Sequence, residues 1–148
     1  MVEDIRNLTL RELDKNLTAG GFPAYRARQV FDWLYKKGIG DFAAMANLPQ
    51  DLKTFLKSYY TISSPVIEKI QTSADLTQKF LLRLKDRSLI ESVSIPAKSR
   101  LTACLSTQVG CRYSCAFCAS GMAGFRRNLD AGEIIGQFNM LPKPLIEA

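Results

Sequence analysis

The chain has 148 residues, 47% of them hydrophobic, and its 20 lysines and arginines outnumber 14 aspartates and glutamates for a net charge of +6. That content excludes a disordered chain and allows one modest domain or two small ones. The acidic start Met1-Val2-Glu3-Asp4-Ile5-Arg6-Asn7 is unlike a signal peptide, and no apolar run approaches the roughly 20 residues that span a bilayer. A soluble cytoplasmic protein is expected, and the basic balance favours a polyanionic partner.

Residues 1–62 read as a small helical domain. Thr9-Leu10-Arg11-Glu12 predicts a capping box opening a first helix, with Leu10, Leu13 and Leu17 as its apolar stripe and Gly20-Gly21 as its end. A second helix starts near Pro23, buries Ala27, Val30, Phe31 and Leu34, and stops at Gly38. Asp41 to Ala46 predicts a short third helix, and Pro49 to Ser58 a further one that buries Leu52, Phe55 and Leu56. The second helix also interleaves Arg26, Arg28, Gln29, Lys36 and Lys37 with Tyr25, Trp33 and Tyr35. Such a surface can hold RNA phosphate and stack on bases. The plainer alternative has Trp33 filling a small core and the basic residues solvated.

Residues 63–98 change period and predict an antiparallel meander. Its strands are Val66–Ile70, Lys79–Leu84 and Leu89–Ile95, with turns at Asp75-Leu76 and Lys85-Asp86-Arg87-Ser88. Glu91 stands inside the last of these. If Ile90 faces solvent, Glu91 points to the apolar side with Val93 and Ile95, where burial would raise its pKa and suit a general acid or base. Otherwise it sits at the sheet rim. Leu101 to Thr107 is short and mostly apolar, and predicts a strand buried in a parallel sheet. Asp130-Ala131-Gly132-Glu133 predicts a capping box for a helix over Ile134 to Met140, ended by Pro142 and Pro144. Strand, loop and helix from residue 99 onward make one β/α unit.

Between that strand and helix lies Val109-Gly110-Cys111-Arg112-Tyr113-Ser114-Cys115-Ala116-Phe117-Cys118-Ala119-Ser120-Gly121. Cys111, Cys115 and Cys118 have the spacing C-x3-C-x2-C; Cys104 is the only other cysteine, and there is no histidine. Thiolates bind soft metals and iron–sulfur clusters. Three close cysteines hold three irons of a [4Fe–4S] cube and leave the fourth open for a small molecule. This is the spacing of the radical S-adenosylmethionine (SAM) enzymes. Zinc prefers four ligands as two short pairs, and Cys104 lies too far upstream to resemble a knuckle. A disulfide framework suits small secreted chains. The spacing favours a cluster and leaves zinc or plain core cysteines as alternatives.

Further residues sharpen the resemblance. They are Gly21-Phe22-Pro23-Ala24-Tyr25-Arg26-Ala27-Arg28-Gln29-Val30, Gln71-Thr72-Ser73-Ala74-Asp75 with Thr77 and Lys79-Phe80-Leu81, Ile90-Glu91, Ile95-Pro96, Arg100, Cys104 and Gln108-Val109-Gly110-Cys111. Gly124-Phe125-Arg126-Arg127-Asn128-Leu129 and Gly132-Glu133-Ile134 complete the set. With the cysteine triplet they resemble the radical-SAM dual-specificity RNA methyltransferases, which methylate carbon 2 of an adenine in 23S rRNA and in certain tRNAs. A relative that methylates carbon 8 shares much of the pattern.

The resemblance implies an α+β fold: an N-terminal helical RNA-binding domain at 1–62, the meander at 63–98, and at 99–148 the start of a radical-SAM (β/α) barrel. It implies Cys111, Cys115 and Cys118 as ligands of a [4Fe–4S] cluster and Phe117 near the adenine of S-adenosyl-L-methionine. Glu91 becomes the proton acceptor, and Cys104 the resolving cysteine that forms a transient disulfide. The partners implied are 23S rRNA and tRNA, with an electron donor and no other obligate protein. Leu76 and Arg87 depart from the glycine usual after the aspartate of each hairpin turn. One β/α unit cannot close a barrel, so the chain reads as the front portion of a longer protein. By itself it is expected to bind a cluster poorly and not to complete catalysis. The competing readings are a non-catalytic RNA-binding remnant and a zinc-stabilised interaction domain.

Overall fold

The computed structural model describes residues 2–98, 100–113, 115–118, 122 and 124–142. The chain divides into two compact units, Met1–Ser63 and Ser64–Ala148. Together they give a mixed helix-and-sheet fold with an antiparallel meander. Among the described residues no helix is long and apolar enough to cross a membrane.

The first unit is built on α1 (Leu10–Ala19), α2 (Tyr25–Phe31) and α3 (Gln50–Tyr59). Thr9 and Glu12 form the reciprocal capping box of α1. The helix ends in a Schellman arrangement: Phe22 N–H donates to the Leu17 carbonyl at 2.9 Å, Gly21 N–H donates to the Thr18 carbonyl at 3.0 Å, and Gly21 takes φ +85°. The helix begun at Pro23 does not stay α-helical. After Phe31 it widens to a π-helical turn over Asp32–Lys36, closed by Gly38 at φ +63°. A 3-10 turn follows at Phe42–Ala44, capped by Asp41. Leu13, Leu17, Ala27, Val30, Leu34, Leu52 and Leu56 meet in one core with Ile5, Phe42, Met45 and Leu48.

The unit is not purely helical, as the sequence suggested. Strand β1 (Glu3–Asp4) pairs parallel with β2 (Tyr60–Thr61), joining the two ends of the unit. Asp4 and Arg6 lock this closure. Both are buried, with Arg6 Nε 3.0 Å from Asp4 Oδ1 and Nη2 2.7 Å from Oδ2. The same carboxylate accepts the backbone N–H of Ser63 at 2.8 Å, and Arg6 donates to the Ser63 carbonyl. A two-residue strand is too short to show periodicity, so this seam left no trace in the apolar pattern.

The second unit carries a four-stranded antiparallel sheet in the order β3 (Val66–Thr72), β4 (Gln78–Arg83), β5 (Leu89–Ala97), β6 (Arg100–Cys104). The strand expected to be buried in a parallel sheet is therefore β6. It pairs antiparallel with β5, and Arg100, Thr102, Ala103 and Cys104 are exposed. Its apolar composition alone cannot tell a parallel partner from an antiparallel one. One face of the sheet packs Phe80, Leu82 and Ile90 against Val109, Leu129 and Leu141. The helix α4 (Ala131–Met140) has the expected Asp130/Glu133 capping box.

Both hairpins use the same three-residue turn. Leu76 N–H donates to the Ser73 carbonyl at 3.0 Å and Ser73 N–H to the Thr77 carbonyl at 2.9 Å; Leu84, Arg87 and Ser88 repeat the pattern. This geometry needs a left-handed residue at its third position, where glycine is preferred. Here Leu76 and Arg87 occupy it, each at φ +66°. Each turn is supported by an aspartate: Asp75 accepts from Ser73 Oγ and from Thr77 N and Oγ1, and Asp86 accepts from Ser88 N at 2.9 Å. The side-chain bonds offset part of the roughly 1–2 kcal/mol that a left-handed non-glycine residue costs.

Candidate active site

Cross-strand register sorts the second unit's chemistry. Directly opposed residues share a face of a sheet. Leu81 is opposite Glu91, Lys79 opposite Val93, and Val93 opposite Cys104. Glu91 and Cys104 therefore stand on one face of adjacent strands, two positions apart. That face is the outer one. Ile90, Ser92 and Ser94 point to the core, while Glu91 is about half exposed and Cys104 is exposed. Glu91 does share its face with Val93 and Ile95, but Ile90 is the buried neighbour, so of the two placements left open by the sequence Glu91 takes the unburied one. Its Oε1 lies 3.0 Å from Lys79 Nζ. The apolar spacing of β5 fixed which residues alternate, not which set faces inward, because buried serines fill the inner set.

The cysteine loop follows β6 by way of a separate two-stranded pairing. β7 (Gln108–Val109) pairs antiparallel with β8 (Arg127–Asn128), so the ends of the loop are joined at its base. Arg126 N–H donates to the Val109 carbonyl and Leu129 N–H to the Thr107 carbonyl, both at 2.9 Å. Gly110 sits at this neck with φ +74°, and a Cβ there would lie 1.6 Å from the Gly124 carbonyl oxygen. No side chain fits. Arg127 anchors the neck from outside: its guanidinium makes paired bonds of 2.7 and 2.8 Å to Glu133 and further bonds to Asp86. The Glu133 and Asp86 bonds raise the Arg127 pKa despite partial burial. Asp86 is held below the ordinary carboxylate range by the Ser88 N–H first, which burial opposes and the Arg127 bonds reinforce.

Cys111, Cys115 and Cys118 are half-buried free thiols. Cys118 N–H donates to the Cys115 carbonyl at 3.1 Å, which turns the chain between the last two. Ser114, Ala119, Ser120 and Gly121 lie outside the described residues. Phe117 is 92% exposed. Among the described residues no three histidine, cysteine or carboxylate side chains converge closely enough to hold a metal ion. The donor chemistry nonetheless fits an iron–sulfur cluster: three soft thiolates on one short loop, closed at its neck, with no imidazole nearby.

In the first unit, Tyr25 and Tyr35 are exposed, and cations stack on two rings: Arg26 over Tyr25 at 4.8 Å and Lys37 over Trp33 at 3.5 Å. Trp33 also bonds Asn47 through its indole N–H. A cleft of about 380 Å³ between α1 and α2 is lined by Arg11, Asp14 and Arg28. The sequence reading missed the fully buried Gln137 of α4, which bonds Ser92 and Ser106. Its signal was present as a polar residue at a core position in the series Ile134, Gln137, Leu141.

Residues 3–62 match the family model described as the ribosomal RNA large subunit methyltransferase N-terminal domain. The chain is 47% identical over 131 residues to the dual-specificity RNA methyltransferase RlmN of Solidesulfovibrio magneticus, covering 88% of this chain and 37% of that protein. It is 45% identical over 138 residues to RlmN of Syntrophus aciditrophicus, covering 93% and 40%. A probable RlmN of Dictyoglomus thermophilum is 42% identical over 146 residues, covering 99% and 42%. The crystal structure of a radical SAM methyltransferase from Sphaerobacter thermophilus superposes with a TM-score of 0.81 at 41% identity, covering 93% of this chain and 40% of that one. The chain thus spans about two fifths of the length of the relatives it matches. By these matches along almost its whole length, the chain belongs to the radical-SAM dual-specificity RNA methyltransferase family, of which it represents the N-terminal portion.

Proposed function

We propose that this chain is the RNA-binding and cluster-binding front of an enzyme that methylates carbon 2 of adenine in 23S rRNA and in certain tRNAs. The observation that carries this reading is the shared sheet face: Glu91 and Cys104 lie two positions apart on adjacent strands, and the strand bearing Cys104 leads into the three-thiol loop. Cys111, Cys115 and Cys118 would hold the [4Fe–4S] cluster, with Phe117 closing on the adenine of bound SAM. When bound, the cluster and SAM supply a 5′-deoxyadenosyl radical, which suits a ring carbon too electrophilic for ordinary nucleophilic methylation. The outer face of β5 and β6 becomes a wall of the reaction chamber, and β6, the cysteine loop and α4 are the first unit of a (β/α) barrel whose remainder lies in the additional length of the relatives.

Glu91 acts as the proton acceptor toward the adenine ring carbon, and Lys79 holds its carboxylate. Cys104 resolves the RNA–protein thioether formed through a methyl-carrying cysteine elsewhere in the longer protein. Its thiolate attacks that cysteine's sulfur, an S–S bond forms and the S–CH2 bond breaks. The electron pair passes to the methylene carbon, which takes a proton and becomes the product methyl group. The exposed aromatic and basic residues of the first unit, with Arg11 and Arg28, serve RNA contact.

The test uses the chain extended to the length of its relatives, a 23S rRNA fragment and mass analysis of the digested nucleosides. The expected product is 2-methyladenosine, lowered at least about a hundredfold by Glu91→Gln, the scale of general-base catalysis. An 8-methyl product would assign the chain to the carbon-8 relatives. RNA binding without any methylation would favour the non-catalytic remnant.

A further inference from the structure

We propose that Gln137 is a positioning residue that sets Glu91 relative to Cys104; the proposal rests on the roles given to those two residues above. The β5–β6 ladder ends at the pair Val93 and Cys104. Two residues further on, the ladder would place Ser106 opposite Glu91. At that point the backbone of Ser106 is held instead by the side chain of Gln137. Ser106 N–H donates to Gln137 Oε1 at 2.9 Å, and Gln137 Nε2 donates to the Ser106 carbonyl at 2.9 Å. The amide thus takes both backbone groups of one residue, as a strand partner would.

The same Oε1 accepts from the Ser92 hydroxyl at 2.9 Å, and the Ser106 hydroxyl donates to the Glu91 carbonyl at 2.7 Å. Ser92 and Gln137 are fully buried. Every bond of this cluster falls on a residue next to, or two from, one of the proposed reacting groups. Buried polar networks that are fully satisfied hold a single arrangement, because each partner left alone would carry its own desolvation cost. Gln137 rides on α4, whose cap residue Glu133 also holds Arg127 at the neck of the cysteine loop. One helix therefore carries both the clamp on the Glu91–Cys104 spacing and the anchor of the loop.

The spacing can be read by alkylating Cys104 with anionic iodoacetate and with neutral iodoacetamide, because a nearby carboxylate repels only the anionic reagent. Lys79, on the same face, partly offsets that charge. At a diagonal cross-strand distance, removing the Glu91 charge is expected to speed iodoacetate about threefold relative to iodoacetamide. Both rates at Cys104 would be followed by peptide mass spectrometry at neutral pH in the wild type, Glu91→Gln, Gln137→Met and the double variant. The expected result is a relative acceleration of iodoacetate by Glu91→Gln in the wild-type background that falls toward one in the Gln137→Met background. An equal acceleration in both backgrounds, or none in the wild type, overturns the proposal. If Gln137→Met does not fold, Gln137→Asn replaces it, since the shorter side chain keeps the amide but cannot reach both backbone groups of Ser106, and an unchanged acceleration again overturns the proposal. These rates need no RNA and no methylation, so failure here is distinct from failure of the methyltransferase reading.

Discussion

Asp4→Ala is expected to destabilise the N-terminal unit by about 3–5 kcal/mol, the cost of breaking a buried ion pair from one side. The substitution strands the Arg6 guanidinium, whose side chain is 1% exposed, and removes the acceptor used by the backbone N–H groups of Arg6 and Ser63. A unit of 63 residues has a total stability of only about 3–9 kcal/mol, so the variant should be largely unfolded. Trp33 is the only tryptophan and lies in this unit. Its fluorescence in a denaturant titration therefore reports on the unit directly, and a loss below about 1 kcal/mol would mean that the pair is not a clasp. The pH dependence has a definite sign. Burial alone would raise the Asp4 pKa, but the bonds from Arg6 and Ser63 outweigh it and hold the carboxyl below its ordinary value. A group depressed on folding contributes fully above its unfolded value, near pH ~3.9, and its contribution is lost as the pH falls through the folded one. Wild-type stability should therefore fall in acid, and Asp4→Ala should lack that component of the fall.

Gly110→Ala should open the neck of the cysteine loop, whereas Gly124→Ala should leave it closed. Both glycines have positive φ, so both substitutions carry a left-handed cost of about 1–2 kcal/mol. They differ in space. A Cβ at 110 meets the Gly124 carbonyl at 1.6 Å, while a Cβ at 124 meets nothing within 4 Å. A forced backbone shift adds about 1–3 kcal/mol at residue 110 alone. The Arg126 and Leu129 amides bond across the neck, so their hydrogen exchange measures it. Exchange at these amides should be at least about tenfold faster in Gly110→Ala than in Gly124→Ala. Equal rates would show that the neck tolerates a side chain.

Much of this was legible in the sequence where one local rule acts alone. The Thr9/Glu12 and Asp130/Glu133 boxes, the Gly21 and Gly38 stops and the meander strands each follow from a few neighbouring residues. What escaped depends on distant partners. The Glu3–Asp4 strand exists because Tyr60–Thr61 lies beside it, and Asp4 is buried because Arg6 and Ser63 satisfy it. The facing of Glu91 was left open by the alternation and is set by Ser92 and Ser94, polar residues that the core accepts; for Ser92 the bond to Gln137 explains the acceptance. The direction of β6 was misread because pairing partners leave no mark on a short, mostly apolar run such as Leu101 to Thr107. At the site, chemistry was easier to read than geometry. Cysteine spacing marked the loop, whereas the shared face of Glu91 and Cys104 needed the register.

The most direct measurement is anaerobic reconstitution with iron and sulfide in the chain extended to the length of its relatives. Iron, sulfide and the electronic spectrum would be compared between the wild type and the Cys111→Ala, Cys115→Ala, Cys118→Ala triple variant. The account predicts about four irons with matching sulfide per wild-type chain and none in the triple variant. A folded wild type that takes up no iron, or a triple variant that takes up as much, would contradict it.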